Sequence, residues 1–540
     1  MEQDNLTQKQ NDYAVYLPAL SGFYGTFVGK QRVNNDYVDP ARFPQGLTDM
    51  EQINWLNAQK ALFPYKWTLY SGGHANLDLT KPDATEDMIR QRDPDTIVLG
   101  DSGGFQIAKG LWEGDWKANS GCPKAQEKRE QVLKWLDGIA TYGMTLDIPT
   151  WVVNDPIACS KIGINTLEDA VEATKFNNEF FIANRKGVEN GGTKFLNVLQ
   201  GANHEHADKW YQTMKVYSDP NIYPGRHFNG WGMGGQHTSD MDLILKRFIT
   251  LKYDGLLQQG KHDWIHFLGM SQLEWAVLFT TLQRALRKYV NPDVTISYDA
   301  ASPFLATANG QVYHTNVYND DGKWSYRMGP SADNKKYATD TRPWGQAVVQ
   351  DGIYKTWTDS PISSMLKMND VCIYKPGVPK QGVTITEHNF QDPAMYDVLP
   401  DFNKNGKWGK TSWDSFSYCM LMGHNVWMHI TAVQEANRLF DAGTARPGMT
   451  TYSGPGRERF EDIVDAVFAA PTKEKSFEII DHYSKFWMEI IGGRGNKGKN
   501  TMNATTNFDR LFEVEVPDLP IIDPNSLDER KLDDLEAMTK

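Results

Sequence analysis

Three aspartates in this chain each stand where an apolar run stops. Asp101 follows Thr96-Ile97-Val98-Leu99-Gly100 and opens the string Asp101-Ser102-Gly103-Gly104-Phe105-Gln106. Asp147 follows Met144-Thr145-Leu146 and precedes Ile148-Pro149-Thr150, and Asp299 closes Val294-Thr295-Ile296-Ser297-Tyr298. A β-branched run that ends at a carboxylate delivers the acid to the C-terminal edge of a sheet, and glycines beyond it let backbone close on a flat ligand. Two acids at one such edge can substitute a base at a glycosidic carbon, one as nucleophile and one handling protons. A third suits recognition, because one carboxylate can accept two N–H donors from the edge of a flat ring together. Taken singly, these residues read as turns, a helix cap or, for Gln200, a satisfied strand-end amide. Only their combination points to chemistry.

The elements that must position these acids follow from the periodicity. Short strands are predicted at 14–18, 67–70, 96–100, 144–146, 195–199, 226–229, 265–268 and 294–298, with a loop at 19–30 and helices at 49–61, 124–142 and 166–186. Polar or glycine residues end each strand: Ser71-Gly72-Gly73, Asp101, Asp147, Gln200-Gly201, the run Gly230 to Gly235, Gly269 and Asp299. Eight strands alternating with helices predict an α/β fold, a (β/α)8 TIM barrel whose strand ends converge on one pocket. The catalytic barrel is expected over 1–304 and a polar, aromatic insertion over 305–411. A helical segment over 412–492 closes the barrel and extends it, and 493–540 reads as a basic linker and acidic tail.

At 540 residues with 40% hydrophobic and 12% aromatic content, the chain has material for a large core and is not a disordered protein. A net charge of -12 excludes a wholesale basic nucleic-acid binder, so any polynucleotide contact must be local. The four cysteines, Cys122, Cys159, Cys372 and Cys419, form no CxxC pair, which fits a reduced compartment. The polar, acidic start and the lack of a long apolar run predict no membrane partner and a cytoplasmic protein, in the host cytoplasm if a phage encodes it.

Asp-Ser-Gly-Gly-Phe-Gln resembles the signature of the tRNA-guanine transglycosylase superfamily, whose members exchange a guanine in a polynucleotide for a 7-deazaguanine. The similarity runs in family order across residues 71 to 304. It implies Asp299 as covalent nucleophile and Asp101 as general acid/base, with Ser102 and Gly103 in the same loop and Phe105 stacking on the base. It implies that Asp147 and Gln200-Gly201 read the purine edge, that Gly230 with Trp231 lies beside the 7-substituent, and that Leu268-Gly269 form the opposite wall.

Departures from the family pattern narrow the expectation. His424 resembles the region of the family's zinc-binding His, but the upstream cysteine run is missing and only Cys372 and Cys419 are near, so no cofactor and no zinc is expected. Gly235-Gln236 stands where bacterial members have a Glu that meets an aminomethyl group, which favours a neutral substituent such as the nitrile of 7-cyano-7-deazaguanine. Ser71 stands where the family has an Asn.

The rebuilt zinc region is similar to the DpdA-type enzymes of phages and bacteria, and implies DNA as partner with transfer RNA as the alternative. The free 7-deazaguanine base is the co-substrate, and a homodimer is admitted. Flipping a base out of duplex DNA needs wedges and basic contacts. Candidates are Trp324, Tyr326, Arg327, Lys335, Lys336, Lys407, Trp408 and Lys410 in the insertion. The rival readings are a transfer-RNA enzyme with a degenerate zinc site, a non-catalytic barrel that binds nucleic acid or a partner, and a glycoside hydrolase; the last leaves Gln200 and Phe105 without a role.

Overall fold

A computed structural model describes residues 6, 12–33, 42–78, 88–90, 92–319, 324–332, 334–372, 378–384, 396–397 and 415–492. Eight strands form one parallel sheet: β1 (Val15–Pro18), β2 (Trp67–Ser71), β3 (Ile97–Asp101), β4 (Tyr142–Met144), β5 (Lys194–Leu199), β6 (Gly230–Met233), β7 (Trp264–Phe267) and β8 (Thr295–Ala300). The order β1-β8-β7-β6-β5-β4-β3-β2 sets each strand beside its neighbour in the chain, and the two remaining edges meet where Ala19 bridges Leu69. Leu20 N–H donates to Leu69 O at 2.9 Å and Thr68 Oγ1 to Pro18 O at 2.8 Å across that seam. The fold is a (β/α)8 barrel, as the alternation of elements predicts.

Strand register sorts the side chains. Leu17 and Asp299, Ser71 and Asp101, Leu99 and Tyr142, Val198 and Gly232, and His266 and Ser297 are paired partners, which puts one set of alternate residues on one face. That face is the lumen. β4 and β7 are separated by two strands, yet the rings of Tyr142 and Trp264 stack with centroids 4.4 Å apart, a contact possible only across the barrel interior. The other face packs on helices: Trp231 Nε1 donates to Leu256 O at 2.9 Å and its ring lies 6.1 Å from that of Tyr211.

The helices are set by local capping. Thr166 and Asp169 make a reciprocal capping box at the start of helix Leu167–Asn184, and Asp240 accepts from Leu243 N–H at the start of helix Met241–Tyr253. The stretch predicted as a helix over 49–61 is a single 3-10 turn, Met50–Ile53, followed by turns. Asn54 Oδ1 accepts from Leu56 N–H and Asn57 Oδ1 from Lys60 N–H, local bonds that compete with a helical ladder. Conversely, the glycine-bearing stretch predicted as a loop over 19–30 carries helix Gly22–Val33.

Past β8 come helix Ser302–Ala308 and an antiparallel hairpin of β9 (Gln311–Tyr318) and β10 (Trp324–Pro330). The 27-residue helix Ser415–Asp441 then packs against helices Ser302–Ala308 and Leu273–Tyr289 and against β1 and β9. Helices Phe460–Ala469, Lys473–His482 and Ser484–Gly492 complete the described chain, the last two separated by a break at Tyr483. Among the described residues no helix is long and apolar enough to cross a membrane. The 493–540 linker and tail lie outside the described residues.

Candidate active site at the barrel mouth

The C-terminal ends of β2, β3, β5 and β8 bring Ser71, Asp101, Gln200 and Asp299 to one rim, and the turn after β4 adds Asp147. Ser71 Oγ donates to Asp101 Oδ2 at 2.7 Å. Ser71 therefore holds the residue expected to carry the proton. Burial pushes the Asp101 carboxyl above its usual range; the Ser71 and Gly103 hydrogen bonds oppose this, and the negative charge of Asp299 adds to it. Asp147 is 6% exposed, and burial pushes its carboxyl up to about 7 against the pull of Gln200, whose Nε2 donates to Asp147 Oδ2 at 2.8 Å.

Glycines make this convergence possible. A Cβ on Gly104 would lie 2.5 Å from the Asp147 carbonyl oxygen and 3.0 Å from its Oδ1, so the loop after β3 can press on Asp147 only without a side chain there. Gly103 has φ +87° and is covered by the Trp112 ring. Ser102 is fully buried, and its hydroxyl donates to Thr145 O at 3.0 Å, which ties the loop to the segment leaving β4 and commits that hydroxyl to the scaffold. Phe105 is half-buried beside Trp151, with ring centroids 5.9 Å apart and Lys109 Nζ over both rings.

On the opposite side, Gly269 N–H donates to Asp299 Oδ1 at 2.8 Å and Met270 N–H to Asp299 O at 2.7 Å, so the backbone after Leu268 wraps the acid. Leu268 is half-buried and Gly269 exposed, as a wall of an open pocket requires. His266, one lumen position deeper on β7, was not singled out from the sequence. Its Nε2 is 3.2 Å from Asp299 Oδ1, within charge contact but off the line of a hydrogen bond, and its Nδ1 is 2.9 Å from Ser297 Oγ.

Gly230 and Trp231 are not at the mouth. Gly230 begins β6, in register with Leu196 and Trp264, roughly 10 Å below the rim at about 3.3 Å per residue, and Trp231 faces the outer helices. Glycines weaken a strand signal, so the whole run reads as a loop and the strand is expected too early. The glycines at the rim are Gly234 and Gly235, the latter at φ +56°. A Cβ on Gly234 would lie 2.7 Å from Gln200 Nε2 and one on Gly235 2.6 Å from Gly201 O.

The proposed nucleic-acid contacts divide. Trp324 is 4% exposed and packs edge-on against Tyr318, and Tyr326 is stacked on Tyr313 and His429, so both belong to the core that seats the hairpin. Arg327 is exposed; Lys336 is ion-paired with Asp351 at 3.1 Å. Lys335 lies in the 3-10 turn Lys335–Thr339, while its side chain and Lys407, Trp408 and Lys410 lie outside the described residues. Two exposed apolar side chains missed from the sequence, Leu111 (48%) and Ile157 (72%), lie on the segments that follow β3 and β4, where Gly110 packs against Ala158 and Lys161.

His424 does not offer a ligand atom. Both ring nitrogens are taken, Nδ1 by Ser360 Oγ at 2.9 Å and Nε2 by Tyr313 O at 2.7 Å, and the ring stacks on Trp357. Cys372 Sγ contacts Asn334 O at 3.4 Å and Cys419 is fully buried. Among the described residues no group of three or more His, Cys, Asp or Glu is placed to hold a metal.

The mouth thus offers an acid whose burial favours its protonated form, a second acid that accepts a backbone N–H, and an amide–carboxylate pair with a half-buried aromatic at its side. That set can hold a planar heterocycle and exchange it at a sugar carbon. No protein-family model matches the chain, and no curated protein matches it.

Proposed function

We propose that the protein is a glycosyltransferase of the base-exchange kind, replacing guanine in DNA with a 7-deazaguanine, 7-cyano-7-deazaguanine fitting best. The observation that carries this reading is the Gln200–Asp147 pair facing two further acids: an amide donor for the purine carbonyl and a carboxylate acceptor for its N–H groups, beside a proton carrier and a nucleophile. Hydrolysis of a glycoside needs the two acids but gives the pair no task.

In this mechanism Asp299 attacks C1′ of the sugar with inversion, the C1′–N9 bond breaks, and Asp101 gives its proton to the departing purine. The incoming base returns its N9 proton to Asp101, attacks C1′ with a second inversion and expels Asp299. A raised Asp101 carboxyl suits the first half, since the acid must hold a proton before it can donate one. Gln236 supports a neutral substituent: its Nε2 donates to Asp240 Oδ2 at 2.5 Å, and no free carboxylate replaces it at that position. For duplex DNA, a flipped base leaves a gap that an apolar side chain can fill, and the exposed Leu111 and Ile157 are the candidates this reading names.

The test is exchange by purified protein supplied with 7-cyano-7-deazaguanine and either a DNA duplex or transfer RNA, read by nucleoside mass spectrometry. Modified deoxynucleoside is the expected product. Modified ribonucleoside alone moves the protein to the transfer-RNA branch, and no product on either polymer defeats the enzymatic reading.

A further inference from the structure

The lumen beneath Asp299 holds a line of polar contacts that the exchange chemistry above does not use. Trp264 Nε1 donates to Ser297 Oγ at 2.7 Å, Ser297 Oγ lies 2.9 Å from His266 Nδ1, and His266 Nε2 lies 3.2 Å from Asp299 Oδ1. His266 and Ser297 are 0% exposed and Trp264 5%, so bulk water does not compete for these contacts. They occupy successive lumen positions of β7 and β8, and Gly232, the β6 partner of His266, adds no side chain beside the ring.

From this geometry we infer that His266 is a positioning residue which holds Asp299 by Oδ1 and so selects Oδ2 as the attacking oxygen; this rests on the reading of Asp299 as nucleophile. Ser297 Oγ accepts the Trp264 N–H and keeps its own proton available to donate to His266 Nδ1, and this is the direction we assign to that contact. A ring whose Nδ1 accepts carries its proton on Nε2, and Nε2 faces the carboxylate. Gly269 N–H meets the same oxygen from above at 2.8 Å. In this tautomer the Nε2–H of His266 faces the same Oδ1 that already accepts the Gly269 N–H, so both groups favour charge on that oxygen. Oδ2 is left to form the bond to C1′.

His266 Nε2 stands 3.2 Å from Asp299 Oδ1 and off the line of a hydrogen bond, so holding Oδ1 through it takes a small turn of the ring or of the carboxylate. Atoms balance without moving the histidine's proton: the Oδ2 lone pair forms the bond to C1′, the C1′–N9 pair leaves with the purine, and the purine is protonated by Asp101. In the return step the incoming base gives its N9 proton to Asp101, and Oδ2 leaves as carboxylate. His266 keeps its Nε2 proton throughout. The charged groups facing it are Asp299 and, more distantly, Asp101; Ser297 and Trp264 are neutral.

The experiment combines a readout that needs no turnover with one that does. ¹⁵N-histidine NMR of the full chain, with His266 assigned by its disappearance in His266→Gln, is expected to show the ring proton on Nε2 with Nδ1 as the accepting nitrogen. Ser297→Ala is expected to lose that preference. An Nδ1-protonated or doubly protonated ring in the wild type overturns the inference. In exchange assays His266→Leu is expected to lower kcat roughly 10- to 100-fold with KM for the free base within about twofold. His266→Gln, whose amide can still donate to Oδ1, is expected to recover most of the rate. An unchanged rate in His266→Leu, or equal losses in Leu and Gln, reduces the histidine to packing and overturns the inference. A wild type that shows the Nε2 tautomer but no exchange instead defeats the functional reading while leaving the arrangement of Asp299 standing.

Discussion

The barrel mouth and the seat of the long helix Ser415–Asp441 both bury polar groups, and they settle them in opposite ways. Around the helix, His424 has Ser360 and the Tyr313 carbonyl. Its neighbour Asn425 accepts from Tyr313 N–H and donates toward Pro303 O, Thr307 Oγ1 and Gln311 O. Every partner is neutral and internal, and the cluster joins helix, hairpin and barrel. At the mouth, Asp101, Asp147 and Asp299 lie together with neither lysine nor arginine paired to them among the described residues. Polar groups matched within the protein hold the fold together; buried acids left without a cation cost stability and wait for a ligand.

Substitutions that fail to behave this way would break the contrast. The largest effect is expected from Asp299→Ala, which should lower base exchange by about 10³-fold or more while the melting temperature stays near that of the wild type. Unfolding of this variant would move Asp299 into the scaffold. Asn425→Ala should do the reverse. It strands several buried groups at once and should cost on the order of 3 kcal/mol in denaturant unfolding, with exchange per folded molecule retained.

Asp147→Asn sharpens the contrast through pH. The folded carboxyl holds its proton up to about 7, whereas the unfolded one loses it near 4, so the native state binds the extra proton and stability falls as pH rises from about 4 to 7. The Asn variant lacks that loss. It should be more stable than wild type at pH 8, by on the order of 2 kcal/mol relative to their difference at pH 5, measured by urea unfolding at both. It should also bind the free base more weakly, since an acceptor has become an amide. The smallest effect concerns the hairpin side: Arg327→Ala should reduce the slope of log affinity for DNA against log salt by about one, and Lys336→Ala, already held by Asp351, should leave it unchanged.

What could be read from the sequence follows from how each residue signals itself. Asp101, Asp147, Asp299 and Gln200 announce themselves because a polar residue ending an apolar run interrupts a strong pattern. His266 sits one alternation inside such a run, where a lumen residue looks like any other core position. The rim glycines were displaced by four residues because Gly230-Trp231-Gly232 reads as coil until the strands on either side supply its register. Trp324 and Tyr326 lie among polar loop residues, yet hairpin pairing and the helix behind it turn their rings inward. In each of these cases tertiary contact decided what local composition could not.

The seam between β1 and β2 has a mechanical meaning. Seven junctions of the barrel are ladders of between two and five paired residues, and the eighth is the single bridge Ala19–Leu69 with two neighbouring hydrogen bonds. A closed hoop stretches first at its weakest weld. Asp299 rides on β8, fastened to β1; Asp101 rides on β3, fastened with Ser71 to β2, so the short way round from one to the other crosses that weld. On the proposed reading of these two acids, the thinnest junction of the barrel therefore lies between nucleophile and proton donor.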